Sequence, residues 1–434
     1  MNQVLNCSSL LAIAFCFVWH SPVFGQDQAT TSRLQGSCFG LISWEVTVGG
    51  TLSESQEEQL QDAVQQRLDQ INARMSTYRD DSDVSRFNAS TSTDWFAVEA
   101  ETALVVQRSL EISAATQGAF DVTVGPLIGL YHFGAAANQQ DATPTLPSAE
   151  EIAQTLSAVG YDKLQVQLSP PTLRKSVASL QIDLSAIAKG YAVDQVAKVV
   201  TEAGFQNYFV MVGEEVAASG KHPAGRQWVC GIEKPVEQAR HVLDIRVPLV
   251  DSAIATSGDY RQYYVIDGKR ISHTVDPRSG KPATSAVALA SVKADDCMTA
   301  DAFATAMMVL PITESEQIAA QLGLGIHLVQ RGENGEFVTV ENSQYPAALP
   351  PTQAVESVSW LLPVGISILI FGIAVVSMSV GVLFKREPIK GSCGGLANMP
   401  GATGSACDLC SNPSKECQEM GRGARKAMAE QAES

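Results

Sequence analysis

Apolar residues recur at helical spacing in several stretches of the chain. Over 55–75, Leu60, Val64, Leu68 and Ile71 fall on one face, with Glu and Gln on the others. That is the pattern of a helix with one buried stripe. Residues 99–116 repeat the type with Leu104, Val105, Leu110 and Ile112, and further helices are read at 189–203 and 299–310. Strands are read at 41–48, 178–184, 207–212, 228–233, 262–267 and 286–292. Helices and strands are interspersed without a regular βαβ period. This predicts an α+β fold, an antiparallel sheet packed by helices.

Two runs are apolar throughout. Residues 4–19 are of signal-peptide length, and Val23-Phe24-Gly25 places small residues where a signal peptidase reads. A signal over 1–25, cut after Gly25, is expected, with an uncleaved anchor as the alternative. Residues 357–384 carry no charge. At about 1.5 Å per residue a helix of that length exceeds the ~30 Å hydrocarbon core, so a transmembrane helix is expected over 358–384. Trp360 lies near one end, and Lys385 and Arg386 follow the other. The positive-inside bias then puts the C-terminal side in the cytoplasm and the large domain outside. The expected product is a single-pass protein of the inner membrane, in contact with lipid. A Pro-containing stretch from Tyr345 reads as an extended linker over 344–357. This leaves a large domain at 26–343 and a tail at 385–434.

Hydrophobic content of 45% and charge of 18% suit a folded chain with a membrane element. The net charge of -16 argues against nucleic acid, whose binders present a basic face. The residues from Lys385 onward hold seven Lys/Arg against six Asp/Glu, so the part before them carries all the acidity. Cys38, Cys230 and Cys297 are scattered and odd in number, unlike a disulfide framework. Cys393, Cys407, Cys410 and Cys417 crowd the C-terminus and look like a ligand set for iron, an Fe–S cluster or zinc.

Five segments of the large domain carry candidate chemistry. The loop Met75–Asn88 contains Tyr78, either an aromatic platform for a flat ring or a half-buried packing residue. In Gly118–Pro126, glycines flank a short strand and would let backbone approach a ligand. In Ile182–Asp194, a strand ending in Asp183 leads through a small-residue turn into a helix. The helix N-terminus and Lys189 in its first turn suit a pyrophosphate. In Ser272–Pro282, His273 is a candidate general base or a lone surface histidine. In Ala300–Val309, Asp301 and Thr305 project from one helical face and offer hard oxygen ligation of the kind Mg²⁺ takes. Alternatively, Thr305 back-bonds to its own helix.

Taken together and in order, these segments resemble the ApbE family of FAD:protein FMN transferases, over nearly all of 35–340. Ala255–Tyr260 and the Pro235 turn after Trp228 support the likeness. The resemblance implies a two-subdomain fold with FAD in the cleft. Tyr78 would stack on a ring. Ala119, Phe120 and Asp121 would line the site, Asp183 and Lys189 would contact the cofactor, and backbone near Thr274 would complete the pocket. Mg²⁺ would be held by Asp301, Thr305 and the Ala186 carbonyl. His273, with Asp276, would take the proton from a Ser/Thr hydroxyl of the acceptor, leaving FMN as a phosphoester and releasing AMP. Two positions depart from the family pattern. Its Thr-Met-Gly-Thr reads Cys38-Phe39-Gly40-Leu41, where Phe39 still offers apolar contact, and its Gly-Gly-Glu reads Gly213-Glu214-Glu215.

The segment Ile389–Leu396, with its Cys-Gly-Gly, resembles NqrM, a membrane protein that matures the Na⁺-translocating NADH:quinone reductase with a proposed role in iron delivery. ApbE proteins flavinylate the NqrB and NqrC subunits of that reductase. The two resemblances imply a fused maturation factor, with NqrB/NqrC-type acceptors for the large domain and NqrD/NqrE-type subunits as partners of the tail. A degenerate FAD-binding scaffold and an FAD pyrophosphatase are the alternatives.

Overall fold

A computed structural model describes residues 30–134, 145–236, 243–266, 269–283, 285–332 and 336–350, together with residues 367–369, 371, 372 and 376. The chain divides into two units, residues 1–351 and 352–434. In the second unit, the described residues are helical, and Ile368, Leu369, Phe371 and Val376 are exposed. Among the described residues no helix is long and apolar enough to cross a membrane. The 1–25 signal, the rest of the 358–384 span and the cysteine tail lie outside the described residues.

The first unit is built on an eight-stranded antiparallel sheet. Its strands are Thr31–Cys38, Ile42–Gly49, Tyr208–Val212, Glu215–Ser219, Ser252–Gly258, Val287–Ala294, Gly325–Arg331 and Phe337–Glu341, neighbours in that order. Side chains alternate between its faces. Val210 and Val212 enter the main core, beneath helices Glu54–Met75, Ala188–Glu202 and Cys297–Val309. Phe209 and Met211 point the other way, into a second cluster roofed by the hairpin Trp228–Glu233/Leu243–Leu249. The sheet is buried on both faces, so its central strands read as near-continuous apolar runs.

The α+β expectation holds, as do the four helices to within a residue or two. Helix Glu54–Met75 starts at a capping box formed by Ser53 and Gln56, and buries Leu60, Val64, Leu68 and Ile71. Helix Ala100–Ala115 buries Ala103, Val105, Val106 and Ile112, while Leu104 is exposed, so its inward face is rotated from the one expected. A smaller sheet of Phe96–Ala97, Pro171–Lys175 and Leu164–Leu168 lies beside that helix. Leu164 and Leu173 join the main core, so the two subdomains are a division of sheets and not of cores.

Three segments differ from expectation, each for a local reason. Residues 178–184 are not a strand. The Asn88 amide donates to the Ile182 carbonyl and accepts from its N–H, both at 2.8 Å, standing in for a neighbouring strand. The ammonium of fully buried Lys175 donates to the Phe87 and Leu180 carbonyls at 3.1 and 3.0 Å and fixes the start of the same loop. Residues 118–126 are not a strand either. Asp121 accepts from the Thr123 N–H at 2.8 Å and turns the chain into a 3₁₀ turn at Val122–Val124 and then helix Gly125–Leu130. Pro126 sits in the first turn of that helix, where no intrahelical N–H is needed. Finally, residues 345–349, at the start of the expected linker, are tied to the first unit. Tyr345 is buried, its hydroxyl lies 2.8 Å from Ser291 Oγ, and the Leu349 N–H donates to the Arg246 carbonyl at 2.8 Å.

Asn88→Ala removes both bonds that hold the loop leading to Asp183. It should cost about 1–3 kcal/mol, read by urea unfolding. An unchanged midpoint would show that Lys175 alone fixes the loop.

Candidate active site

Helices Ala188–Glu202 and Cys297–Val309 meet at Gly190. A Cβ there would lie 2.3 Å from the Cys297 carbonyl oxygen and 2.8 Å from Asp301 Cβ, so only glycine permits this approach. The Gly190 N–H, one of the first-turn donors that a helix leaves without an internal partner, goes to Asp301 Oδ2 at 2.9 Å. Lys189 ion-pairs with Glu215, which is fully buried, and its Nζ is 4.0 Å from Asp301 Oδ1. Asp194, one helical turn on, accepts from the N–H groups of Cys297 and Met298 at 2.8 and 2.9 Å and fixes the start of the second helix.

Burial pushes the Asp301 carboxyl up to about 7, with Lys189 opposing the rise and Glu215 adding to it. Burial likewise pushes Asp194 up to about 7. Burial lowers the Lys189 ammonium, but the carboxylates of Glu215 and Asp301 outweigh that, and its pKa ends above the usual lysine value. The cluster therefore holds more negative charge than its own cation neutralises comfortably. Thr305 shares a helical face with Asp301, and its hydroxyl lies 3.3 Å from Ser257 Oγ. The Ala186 carbonyl sits in the turn before Lys189. Carboxylate, hydroxyl and carbonyl are hard oxygen donors, and a desolvated Asp301 gains from a cation, so these residues fit Mg²⁺. Among the described residues no group of three or more His, Cys, Asp or Glu is arranged as a metal site.

His273 follows the hairpin Tyr263–Ile266/Lys269–Ser272. Its backbone N–H donates to the Gln262 carbonyl at 3.1 Å, and its Nδ1 lies 3.2 Å from the same oxygen. A carbonyl only accepts, so the network assigns the proton to Nδ1 and leaves the Nε2 lone pair for a substrate. Burial lowers the His273 pKa, the Lys189 charge lowers it further, and Asp259 opposes both. Asp276 is not the partner of this imidazole. Its carboxylate is gripped by Arg278, at 2.9 Å to Nε and 3.0 Å to Nη2, and accepts the Arg278 N–H at 2.9 Å. The carboxylate that acts on His273 is Asp259, itself paired with Arg331 at 2.5 Å.

The remaining candidates differ in what they present. Tyr78 is 64% exposed, as a stacking platform requires. Partial burial raises the pKa of its hydroxyl, and the charge of Asp183 adds to the rise. Asp183 donates its N–H to the Val122 carbonyl at 2.7 Å, joining two of the candidate segments. Its Oδ1 accepts the Ser185 N–H at 2.8 Å and so shapes the turn before Lys189. The side chains of Ala119 and Phe120 are buried in the core, and Asp121 spends its carboxylate on Thr123 and on the Tyr161 N–H at 2.7 Å. Any contact these three make with a ligand comes from backbone. The Thr274 carbonyl is taken by the Ala283 N–H at 3.0 Å. Phe39 and Gly40 form a tight turn with φ of 49° and 91°, and Leu41 at its end is 99% exposed. The hairpin end abuts the cluster, because the Gly213 N–H donates to the Ser43 carbonyl at 2.9 Å.

Glu215, Asp194, Asp259 and Gln262 were not singled out from the sequence. Each stands inside or beside a quoted segment, but its role depends on a partner far along the chain.

The candidate site therefore comprises a buried carboxylate cluster with its lysine, a histidine within that lysine's field, and an exposed aromatic ring. Family comparison makes the assignment specific. The ApbE family model matches residues 42–328, and the chain belongs to that family. A second model, described as (Na⁺)-NQR maturation NqrM, matches residues 382–433. The chain is 38% identical to a FAD:protein FMN transferase of Vibrio cholerae over 77% of this chain and 95% of that one. It is 35% identical to the enzyme of the same name from Haemophilus influenzae, over 80% and 96%. The solved flavin transferase ApbE from Vibrio cholerae superposes with a TM-score of 0.65 at 35% identity, covering 73% of this chain and 98% of that one. The apo flavinyl transferase ApbE of Pseudomonas stutzeri gives 0.64 at 34%, covering 73% and 96%.

Because the Asp301 carboxyl is raised from 3.8 to about 7, the folded protein binds more protons there than the unfolded chain does. The metal-free protein should lose this stability as pH rises from about 4 through about 7. Mg²⁺ should restore it, and Asp301→Asn should reduce the pH slope to the part that Asp194 contributes and abolish the Mg²⁺ effect. Thermal unfolding with and without Mg²⁺ checks this, and equal Mg²⁺ shifts in both proteins would exclude Asp301 as a ligand.

Proposed function

We propose that the chain transfers FMN from FAD to a Thr or Ser hydroxyl of an acceptor protein. The carrying observation is the Lys189–Glu215–Asp301 cluster with His273 inside its electrostatic field. Lys189 and the helix N-terminus behind it provide the positive end that a pyrophosphate needs. Tyr78 offers a face for a flavin or adenine ring, and Asp183 orders the intervening turn. Asp301, Thr305 and the Ala186 carbonyl would hold Mg²⁺, which when bound supplies charge neutralisation on the pyrophosphate. His273, kept neutral by burial and presenting Nε2, takes the acceptor hydroxyl proton. The hydroxyl oxygen bonds to the FMN phosphorus, the bond to the AMP oxygen breaks, and AMP leaves.

The match to NqrM supports a place in the maturation of Na⁺-translocating NADH:quinone reductase, with NqrB/NqrC-type acceptors and NqrD/NqrE-type contacts of the tail. The proposed topology is an exported large domain, a span at 358–384 and a cytoplasmic tail whose Cys393, Cys407, Cys410 and Cys417 bind iron or an Fe–S cluster. Its support is the uncharged 357–384 run followed by Lys385 and Arg386. Protease added to sealed spheroplasts should digest the large domain and spare the tail. The reverse pattern would invert the topology.

The activity is tested by incubating the protein with FAD, Mg²⁺ and an NqrC-type acceptor and weighing the acceptor by mass spectrometry. An added FMN is expected, lost with Asp301→Ala and reduced at least about a hundredfold with His273→Ala. FMN and AMP without acceptor modification would make the domain an FAD pyrophosphatase. Intact bound FAD would make it a scaffold.

The acid limb of the rate–pH profile follows His273, because the protonated imidazole cannot accept a proton. Asp259 stabilises that protonated form. Asp259→Asn should therefore move the acid limb to lower pH, and a shift the other way would reject His273 as the titrating base.

A further inference from the structure

The residue that departs from the family pattern at Glu214 has a partner. Gly213, at φ 68°, turns the chain between two strands so that adjacent glutamates face different ways. Glu215 points inward to Lys189, and its Oε2 also accepts the Glu214 N–H at 3.1 Å. The Glu214 carboxylate points outward and ion-pairs with Arg261. A second carboxylate, Glu233 at 3.2 Å, grips the same guanidinium from the roofing hairpin. The Tyr260 ring lies 5.3 Å beneath it. Arg261 is thus held from three sides. The next residue is Gln262, whose carbonyl receives both the backbone N–H and Nδ1 of His273.

We propose that Glu214 and Arg261 form a positioning strut for His273. The strut ties the turn that carries Glu215 to the backbone carbonyl that sets the imidazole's tautomer and aim. One half of the site, Lys189, Glu215 and Asp301, is thereby held in register with the other half, His273. The side chain at 214 leaves the room glycine would leave, because it turns toward solvent and closes a charge pair. Arg261 also separates Glu214 from Glu233, so its removal leaves like charges facing each other and loosens the segment that bears Gln262.

The other groups that bear on His273 are Lys189 and Asp259, the latter paired with Arg331 and lying 3.9 Å from Arg270, and the edge of Phe133. Asp259 and Phe133 are untouched by changing Arg261 or Glu214, and Lys189, on which the Glu214 charge acts, keeps its own side chain and its Glu215 partner. A changed tautomer in those variants therefore reports on the Gln262 carbonyl.

The test uses the full chain in detergent with ¹⁵N-labelled histidine, and His273 resonances assigned by their loss in His273→Gln. Wild-type protein should show the proton on Nδ1. Arg261→Met should give a mixture of tautomers and a fall in kcat of roughly tenfold with KM for FAD little changed. Arg261→Lys should keep most of both. Glu214→Gln should give a smaller loss, since Glu233 still holds the guanidinium, and Glu214→Gln combined with Glu233→Gln should match Arg261→Met. If Arg261→Met does not fold, the glutamate variants decide the question. Wild-type tautomer and kcat in Arg261→Met, or in the double glutamine variant, would overturn the proposal. The kinetic arm rests on the transferase reading and the tautomer arm does not. A wild-type protein that transfers no FMN would defeat that reading while the spectra still settle the strut.

Discussion

Three carboxylates, buried Glu215 and Asp301 and half-buried Asp194, lie around the contact of two helices and one strand, and the ammonium of Lys189 stands among them. Like charges in a low-dielectric interior repel, and each has lost its water. The arrangement persists because backbone donors are aimed at each carboxylate. Gly190 donates to Asp301, Cys297 and Met298 to Asp194, and Glu214 to Glu215. Those bonds require the helices to approach to the distance that Gly190 alone allows. The position of every other functional group follows from this contact. It sets where the turn before Lys189 runs, where Thr305 faces, and how strong a field His273 feels.

The same cluster explains why the site reads as a receptor for both cation and anion. Its carboxylates are under-neutralised, which favours a divalent ion. Lys189 and the helix start favour the negative oxygens that such an ion would bring with it. A pyrophosphate bound with its metal satisfies both demands at once, whereas either partner alone satisfies one. The family to which the chain belongs is consistent with such a ligand, but the electrostatic demand arises from these residues themselves.

Much of this was legible in sequence where the signal was periodic. The helix stripe of Leu60, Val64, Leu68 and Ile71, the shared face of Asp301 and Thr305, and Lys189 in a first helical turn all follow from the 3.6-residue repeat. Segments governed by one side-chain bond were not legible. Residues 178–184 look like a strand because their side chains suit one, yet Asn88, some 94 positions away, supplies the pairing. Asp276 was joined to His273 only through the family resemblance. A hairpin instead brings Asp259 and Gln262 to the imidazole, and Arg278 captures Asp276 locally. Tyr345 looked like linker because prolines follow it, while its burial depends on a sheet face that only the assembled strands create.

The two departures from the family pattern are accommodated differently. At Leu41 and Glu214 the altered side chain reaches solvent or an exposed partner, whereas Cys38 is buried and packs as a small apolar residue in the main core. Glu214 keeps more than a third of its side chain exposed (37%) and meets Arg261, and Leu41 stands free at a turn that retains its positive-φ residues. A charge added inside the cluster would have needed another buried donor, and a bulky residue at Gly190 would have pushed the helices apart. At 214 the desolvation of the carboxylate, which raises its pKa, is opposed by the Arg261 guanidinium. Within the core of the site, Lys189, Glu215, Asp301 and Gly190 constrain one another too tightly for any one to change alone.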